Sequence, residues 1–338
     1  MIKDRYEPID MALWQGRIDS TENYDAFRWH QVVQQLDLTR NESTSYKSKF
    51  GFALLGFCCD EGIRRNQGRI GAAHGPNAIR EELANLPCQF SQQTLLFDAG
   101  NIICPDGRLE ESQETLALAV AHIRRLGLFP LVIGGGHEVA LGHYRGHKKT
   151  MVEHHQKPDI GIINFDAHFD LRDVIPEGGS SGTMFKQIAN ESAAMGLDFN
   201  YLCVGIQESG NTRELFKTAK ELGVVHILAA DVANKGDSYV IKQLVEFMKA
   251  TENIYITICA DVFSAAFAPG VSAPQSLGLN PLEVVRYIEH IIQSGKVIGF
   301  DIAEISPRFD SNKATVSLAK VLLFSAVSAI CRLKGLDE

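Results

Sequence analysis

Residues 160–170 read IGIINFDAHFD, a largely apolar run of six residues followed by two aspartates and a histidine. The run lacks strict alternation of polar and apolar positions, which is typical of a strand buried on both faces of a parallel sheet. Similar runs recur, with helical periodicity between them, as in Glu111–Leu126 and Ser238–Ala250. The further strand candidates are Phe52–Cys58, Thr94–Phe97, Phe129–Ile133, Tyr201–Gly205, Val224–Leu228, Ile254–Cys259 and Val297–Ile302.

The alternation of strands and helices predicts an α/β fold of three layers: a mostly parallel central sheet of about eight strands, with helices on both faces. No Pro-, Gly- or Ser-rich linker interrupts it, which favours one domain over residues 1–338. Residues 1–45 are polar and aromatic without a strand pattern, and we expect them to form an extension that wraps the core. The run Thr315 to Arg332 predicts a helix that buries one face.

Composition narrows the class of protein. The 338 residues carry a net charge of −8, which argues against a nucleic-acid partner because such proteins usually have a basic excess. The N-terminus lacks the apolar core of a signal peptide, and the longest apolar run, Val321 to Cys331, is far short of the roughly 20 residues that span a bilayer. We therefore expect no membrane partner. Seven cysteines without a CxxC pair favour a reducing cytoplasm.

Chemically active side chains follow four of the predicted strands. Parallel strands end at the same edge of a sheet, where ligands of open α/β proteins bind. Residues two apart in extended chain point the same way, so Asp166, His168 and Asp170 can converge on one point. The full set of candidate groups at this edge is His137, Asp166, His168, Asp170, Cys259, Asp261 and Glu304.

Carboxylates combined with neutral imidazoles suit Mn²⁺, Fe²⁺ or Zn²⁺, and an oxygen-rich set of ligands favours Mn²⁺. Taken singly, His137 after three glycines is more easily a loop residue and Asp261 is uninformative. The D-x-H-x-D run is harder to explain without metal, because three polar groups ending a buried strand are costly to desolvate. Val139 breaks a G-x-G-x-x-G dinucleotide motif, and there is no G-x-S-x-G elbow. His143 and His147 are expected on an exposed helix face.

The segments Gly134–Glu138, Asp166–Asp170 and Cys259–Asp261, followed by FAPGVSAP at 267–274, resemble the ureohydrolase superfamily of arginases and agmatinases over almost the whole chain. Within it the chain is most similar to the formimidoylglutamase branch. That likeness rests on LWQGRID at 13–19 with RWHQ at 28–31, SSGT at 180–183 and PGVSAP at 269–274.

The resemblance implies an arginase-like fold and hydrolysis of N-formimidoyl-L-glutamate to L-glutamate and formamide in histidine degradation. It implies two Mn²⁺ ions and attack on the formimino carbon by a hydroxide that bridges them. By position, His137, Asp166 and Asp170 hold one ion, while His168 and Asp261 hold the other, with Asp166 bridging. Glu304 stands where the cationic end of the substrate is received, and Asp170 could relay the proton of the nucleophile.

The glutamate half of such a substrate needs cations and hydrogen-bond donors. Arg172 is well placed for a bidentate carboxylate contact, with Asn66 and Arg69 as further candidates. The alternative is that Arg172 pairs with a protein carboxylate such as Asp173. Ser181 stands where arginases and agmatinases have a histidine thought to transfer protons, and we include it among the substrate-binding candidates.

Cys259 stands where the superfamily has a second bridging carboxylate. A thiolate is softer than a carboxylate and favours Zn²⁺, Fe or copper over Mn²⁺, so the second site is the less secure of the two. Cys58 or Cys59, at the end of another strand, could also pair with Cys259 in a disulfide.

Three other functions stay open at this point. The first is hydrolysis of another amidine or guanidine, by a guanidinobutyrase or an agmatinase, although agmatine lacks the carboxylate that Arg172 would bind. The second is a metal-poor, non-catalytic binding homologue. The third is a deacetylase-like amidohydrolase with one Zn²⁺. Analogy with the superfamily also suggests a homo-oligomer.

Overall fold

The computed structural model describes residues 2–40, 46 and 49–337. These residues form ten strands, namely β1 (Tyr6–Glu7), β2 (Gln34–Gln35), β3 (Gly51–Cys58), β4 (Leu95–Ile103), β5 (Phe129–Ile133), β6 (Ile160–Phe165), β7 (Asn200–Ile206), β8 (Val225–Leu228), β9 (Asn253–Cys259) and β10 (Val297–Ala303). They also form the helices α1 (Trp29–Val32), α2 (Glu61–Arg65), α3 (Gly75–Leu83), α4 (Leu109–Arg125), α5 (Val139–Glu153), α6 (Met184–Ala194), α7 (Arg213–Glu221), α8 (Ala229–Lys235), α9 (Asp237–Lys249), α10 (Pro281–Gln293) and α11 (Ala314–Leu333).

All the strands belong to one sheet, in the order β1-β4-β3-β5-β10-β9-β6-β7-β8, with β2 paired to β4 beside this path. The β1–β4 pair is antiparallel and the remaining pairs are parallel. The predicted α/β fold with a mostly parallel sheet is therefore confirmed. The two strands beyond the predicted eight, β1 and β2, are only two residues long.

The side chains of β3 show how the sheet is covered on both faces. Phe52 and Leu54 pack into the core with α3, α10 and α11, while Ala53 and Leu55 pack against α4 on the other side. Farther along the sheet, α5 and α6 cover this second face. Because successive strand residues point to opposite faces, continuous apolar runs are what a sheet covered on both sides requires.

Two details of the sheet differ from the expectation. The strand predicted at Thr94–Phe97 continues to Ile103 as β4, because the buried Asp98 and Asn101 are hydrogen-bonded to Arg80 rather than left unpaired. The first forty residues, expected to lack strands, supply both β1 and β2, which pair with β4.

The segment before β3 contributes two buried tryptophans. Trp29 lies in the same core cluster as α3, and the indole Nε1 of Trp14 donates to Asp98 Oδ2 over 2.8 Å. Met1 and residues 41–45 of the expected extension lie outside the described residues.

The C-terminal segment Ser311–Leu333 is longer than the apolar run predicted. Its length and mean hydropathy of 1.9 would suffice to cross a bilayer, but 61% of its apolar window is buried inside the protein. Leu322, Leu323 and Ala326 pack into the main core together with residues of α10. These contacts are those of a core helix.

The sheet order brings the chemical residues together. The four strands β5, β10, β9 and β6 are consecutive neighbours, and all run parallel. The segments that follow them carry His137, Glu304, Asp261 and Asp166. The carboxyl ends of these strands therefore form one continuous edge, where open α/β sheets bind ligands.

Candidate metal centre

The glycines before His137 are required by a close approach of backbones. The N–H of Gly136 donates to the carbonyl of Cys59 over 2.9 Å, and the carbonyl of Gly135 accepts from the N–H of Glu304 over 2.7 Å. A Cβ atom on Gly135 would lie 1.8 Å from the carbonyl oxygen of Cys59. The loop is thus clamped between the ends of β3 and β10, and this clamp directs His137 into the centre of the sheet edge.

Two groups of three side chains meet at this edge and share Asp166. In the first, the ligand atoms of His137, Asp166 and Cys259 lie within 4.8 Å of one another. In the second, the same limit holds for Asp166, His168 and Asp261. Nδ1 of His137 is 2.9 Å from Asp166 Oδ2, and Nδ1 of His168 is 3.2 Å from Asp261 Oδ2.

Asp170 joins the first group, since its Oδ2 lies 3.1 Å from Nδ1 of His137. Its backbone has a φ of 51°, a left-handed conformation that non-glycine residues adopt at a cost. Burial and the neighbouring charge of Asp166 raise the pKa of the Asp170 carboxyl to about 7.

The centre holds several carboxylates, and their only basic partners among the described residues are the imidazoles of His137 and His168. Among the described residues, no lysine or arginine pairs with Asp166, Asp170 or Asp261. Burial opposes the charged form of His168, but Asp261 and Asp166 prevail and raise its pKa to about 12. Oδ1 of Asp261 is buried and finds no hydrogen-bond partner in the described part of the chain. Such an unsatisfied acceptor among imidazoles and carboxylates fits a divalent cation.

Cys259 contributes a thiol to the first group. Burial, followed by the charge of Asp166, raises the pKa of this thiol well above its usual value. A bound cation would favour the thiolate, because the cation reverses the local electrostatics. The donor set therefore fits a metal, with one ligand softer than Mn²⁺ prefers.

Glu304 lies at the base of the same cavity. Its φ is 67°, and its Oε1 accepts from the backbone N–H of His137 over 3.0 Å. Burial, together with the charges of Glu138 and Asp261, raises the pKa of the Glu304 carboxyl well above its ordinary value. A buried carboxylate in this position gains from a cationic partner.

A cavity of about 330 Å³ opens onto the centre. Of the proposed ligands, His137, His168, Asp170, Cys259 and Asp261 line it, and the wall also contains each predicted substrate-binding residue, namely Asn66, Arg69, Arg172, Ser181 and Glu304. The structure therefore brings the predicted metal and substrate residues into one site, with Asp166 buried beneath it.

On one wall, three of the substrate candidates form a chain of hydrogen bonds. Nη1 of Arg172 donates to Asn66 Oδ1 over 2.8 Å, and Asn66 Nδ2 donates to Ser181 Oγ over 3.3 Å. No ion pair joins Arg172 to Asp173 or to any other carboxylate in residues 2–40, 46 and 49–337. The guanidinium of Arg172 is thus held in place while its charge is unpaired.

Arg69 is more strongly engaged with the protein itself. Its Nε and Nη2 donate to the carbonyls of Ser272 and Val271 over 3.0 and 2.6 Å. Its guanidinium also lies 4.3 Å from the centre of the Phe309 ring. Arg69 therefore lines the cavity and also holds the loop at 271–272 in place.

The structure corrects two expectations near the site. His143 and His147, expected on an exposed helix face, are fully buried, and Nδ1 of His143 lies 2.6 Å from Asp301 Oδ2. Their spacing from the apolar Val139, four and eight residues away, was the sequence signal for a buried face. All seven cysteines are free thiols, so no disulfide joins Cys259 to Cys58 or Cys59.

One residue of the cavity wall was missed entirely. Asn211 accepts from the N–H of Phe169 over 3.0 Å and donates to the carbonyl of Ala167 over 2.9 Å. These two hydrogen bonds brace the D-x-H-x-D segment from outside. Asn211 lies in a loop without any motif, so no sequence signal indicated its role.

Comparisons with known proteins agree with this geometry. Residues 50–328 match the sequence model of the Arginase family. The chain is 52% identical over 339 aligned residues to a formimidoylglutamase of Clostridium tetani, with 99% of each chain covered.

Solved structures give the same result for the fold. The formimidoylglutamase of Bacillus subtilis superposes with a TM-score of 0.79 at 22% identity, covering 94% of this chain and 96% of that one. The Trypanosoma cruzi formiminoglutamase with Mn²⁺ superposes with a TM-score of 0.74 at 26% identity, covering 86% and 96%. Because the family model matches residues 50–328 and a relative is 52% identical over the whole length, the chain belongs to the arginase family.

Proposed function

We propose that the chain hydrolyses N-formimidoyl-L-glutamate to L-glutamate and formamide, a step of histidine degradation. The observation that carries the proposal is the arrangement of one cavity. A buried carboxylate, Glu304, lies at its base, and an unpaired guanidinium, Arg172, lies on its wall beside the metal-ligand groups. A substrate with an amidinium at one end and carboxylates at the other matches both charges. The 52% identity to the Clostridium tetani formimidoylglutamase over the whole length supports the same substrate.

The cofactor we propose is a pair of Mn²⁺ ions. His137, Asp166, Asp170 and Cys259 would hold one ion, and Asp166, His168 and Asp261 would hold the other. The Trypanosoma cruzi formiminoglutamase, described with Mn²⁺, supports this metal. When bound, the two cations supply Lewis-acid activation of the water that attacks the substrate.

Glu304 orients the group that reacts. The formimino group is planar and cationic, and a carboxylate can accept two parallel N–H bonds from it. Because the Glu304 side chain is buried at the base of the cavity, this ion pair forms largely out of water. The contact would place the formimino carbon in the cavity that the metal-ligand groups line.

Arg172, Asn66 and Ser181 bind the other end of the substrate. Arg172 can form a bidentate contact with one carboxylate of the glutamate half. Asn66 and Ser181 already hydrogen-bond one another, and their remaining polar capacity faces the cavity. The carboxylate contact of Arg172 distinguishes this substrate from agmatine, which has no carboxylate.

Asp170 moves the proton. In the overall reaction, water adds to the formimino carbon, the bond to the glutamate nitrogen breaks, and that nitrogen leaves as an amine with one more proton. Oδ2 of Asp170 lies beside His137 and can take up the proton of the water and then deliver it to the leaving nitrogen.

The direct test is an assay of four substrates with Mn²⁺-loaded protein: formimidoylglutamate, arginine, agmatine and guanidinobutyrate. Formamide and urea are measured separately. We expect formamide from formimidoylglutamate and little urea from the other three. Urea release from arginine or agmatine with a higher kcat/KM would refute the substrate.

Arg172→Ala tests the substrate contact within this assay. Losing a bidentate charged contact should raise KM for formimidoylglutamate about 10- to 100-fold, the equivalent of roughly 1.5–3 kcal/mol for hydrogen bonds to charged groups. Arg332→Ala, which makes the same change at an exposed arginine paired with Glu289, is the control and should leave KM unchanged. An unaltered KM in Arg172→Ala would refute its role.

The cellular setting follows from the same proposal. We place the protein in the cytoplasm, without nucleic-acid or membrane partners, on the basis of its free thiols and its net charge of −8. We also propose one domain over residues 1–338, and a homo-oligomer by analogy with the superfamily. A single unfolding transition and light scattering after size-exclusion chromatography test the last two proposals.

A further inference from the structure

A chain of buried hydrogen bonds runs from His137 away from the metal centre into the sheet. Nε2 of His137 is 2.9 Å from Thr257 Oγ1, and Thr257 Oγ1 is 2.5 Å from Asp301 Oδ1. Thr257 on β9 and Asp301 on β10 are direct register partners. All three side chains are buried, so water does not compete for these bonds.

Asp301 fixes the direction of the hydrogen bonds. Besides Thr257, its carboxylate accepts from the hydroxyl of Tyr255 and from Nδ1–H of His143, the latter over 2.6 Å. A hydroxyl or an imidazole N–H donates to a carboxylate oxygen, so each of these neighbours donates to Asp301. The single hydroxyl proton of Thr257 is therefore committed to Asp301.

This commitment sets the tautomer of His137. Because the Thr257 oxygen has no proton left to give, it can only accept, and Nε2 of His137 carries the proton that it accepts. In the neutral imidazole, the lone pair then lies on Nδ1, the atom that faces Asp166 and Asp170. A metal ligand must present such a lone pair, and the group bonded to the other nitrogen decides which nitrogen is free.

We propose that Thr257 and Asp301 are positioning residues for the metal ligand His137. They hold the imidazole in one tautomer and one ring orientation, and they do so without touching substrate. Asp301 also links three elements around the site. It lies on β10, and its hydrogen-bond donors come from β9 and from α5, the helix that follows the glycine loop. Asp301 thus sets the tautomer of His137, while the backbone hydrogen bonds of Gly135 and Gly136 hold the loop.

The test compares Mn²⁺ binding by three variants of the full chain, with unbound Mn²⁺ measured by electron paramagnetic resonance. Thr257→Val removes the hydroxyl and keeps the branched shape, and Thr257→Ser keeps the hydroxyl. Thr251→Val is the matched control, because Thr251 lies just before the other end of β9 and its buried hydroxyl has no hydrogen-bond partner among the described residues.

Loss of such an outer partner weakens metal affinity about 10- to 100-fold, which is the change expected for Thr257→Val. Thr257→Ser should bind within about threefold of the unaltered chain, a difference below 1 kcal/mol, and Thr251→Val should bind equally well. Equal affinity in Thr257→Val, or equal loss in Thr257→Ser, would overturn the proposal, because packing rather than the hydroxyl would then be responsible.

A second measurement covers the case in which Thr257→Val fails to fold. In Zn²⁺-loaded protein with ¹⁵N-labelled histidine, the ¹⁵N shifts of His137, assigned by its absence in His137→Asn, should show a protonated Nε2 and a ligated Nδ1. A ligated Nε2 would overturn the inference. The inference rests on the proposed metal centre. If the unaltered chain bound no Mn²⁺, the centre itself would be refuted, whereas binding that is insensitive to Thr257→Val refutes only the positioning role.

Discussion

Two buried clusters of charge lie on opposite sides of β3, and they are completed in different ways. In the first, Arg80 and Asp98 form an ion pair in which neither side chain is exposed. All five N–H groups of Arg80 find acceptors, and Asp98 also accepts from Trp14. In the second, the proposed metal centre, carboxylates surround Asp166 and the chain supplies no arginine or lysine among the described residues.

The difference teaches how to distinguish a structural cluster from a functional one. The cluster around Arg80 is neutralised and fully hydrogen-bonded by the chain, so it needs nothing from outside. The cluster around Asp166 keeps a buried acceptor, Asp261 Oδ1, without a partner in the described residues. A buried group of carboxylates that has only imidazoles as basic partners remains costly, and an external cation lowers that cost.

The largest expected effect comes from breaking the shared ligand of the metal centre. Asp166→Asn removes the carboxylate that both ligand groups use, and we expect loss of Mn²⁺ binding with a fall in kcat on the order of 10³-fold or more, since a metal Lewis acid supplies several kcal/mol. Bound metal by mass spectrometry and formamide release measure the two effects. Retention of both ions with normal kcat would contradict the bridging role.

A substitution in the cluster around Arg80, which contains its own cation, should change the stability of the fold rather than the activity. Arg80→Met leaves Asp98 buried without its partner, and we expect the free energy of unfolding to fall by about 3–5 kcal/mol. The double variant Arg80→Met with Asp98→Leu should be less destabilised than Arg80→Met, because no uncompensated charge remains. Denaturant unfolding measures both. A double variant as unstable as the single one would argue against the cost of the lone carboxylate.

The strands and the local metal ligands could be predicted from the sequence, whereas the buried pairs between distant residues could not. The strands could be predicted because their apolar runs are continuous. The ligands of the D-x-H-x-D segment could be predicted because they lie within five consecutive residues. Asp98 inside β4 argued against a strand, since its partner Arg80 could not be identified from spacing. His143 was expected to be exposed because its polar partner, Asp301, lies 158 residues away and could not be identified from the helical spacing.

A smaller effect is expected from the metal on stability. Adding Mn²⁺ at about 100 times its dissociation constant should raise the free energy of unfolding by roughly 2.7 kcal/mol for each independent site, because the ion binds the folded state. The Arg80→Met variant should gain the same increment, since its lesion lies in the other cluster. Thermal unfolding with and without chelator measures the gain, and no shift in the unaltered chain would count against the cation requirement.

The smallest effect concerns the thiol. Cys259→Asp replaces a soft ligand by a carboxylate, so the affinity for Mn²⁺ relative to Zn²⁺ should rise by about tenfold, the equivalent of 1.4 kcal/mol. Cys88→Ser, a change at a buried cysteine in the main core, is the control and should leave the ratio unchanged. Competition titration measures it. A ratio equal to that of the unaltered chain would indicate that Cys259 does not contact the metal.

The most direct test of the central claim is to measure bound Mn²⁺ and formamide release together while metal is restored to chelator-treated protein. We expect two Mn²⁺ per chain, with formamide release from formimidoylglutamate absent before metal is added and rising as the sites fill. Full formamide release from protein shown to contain no metal would contradict it.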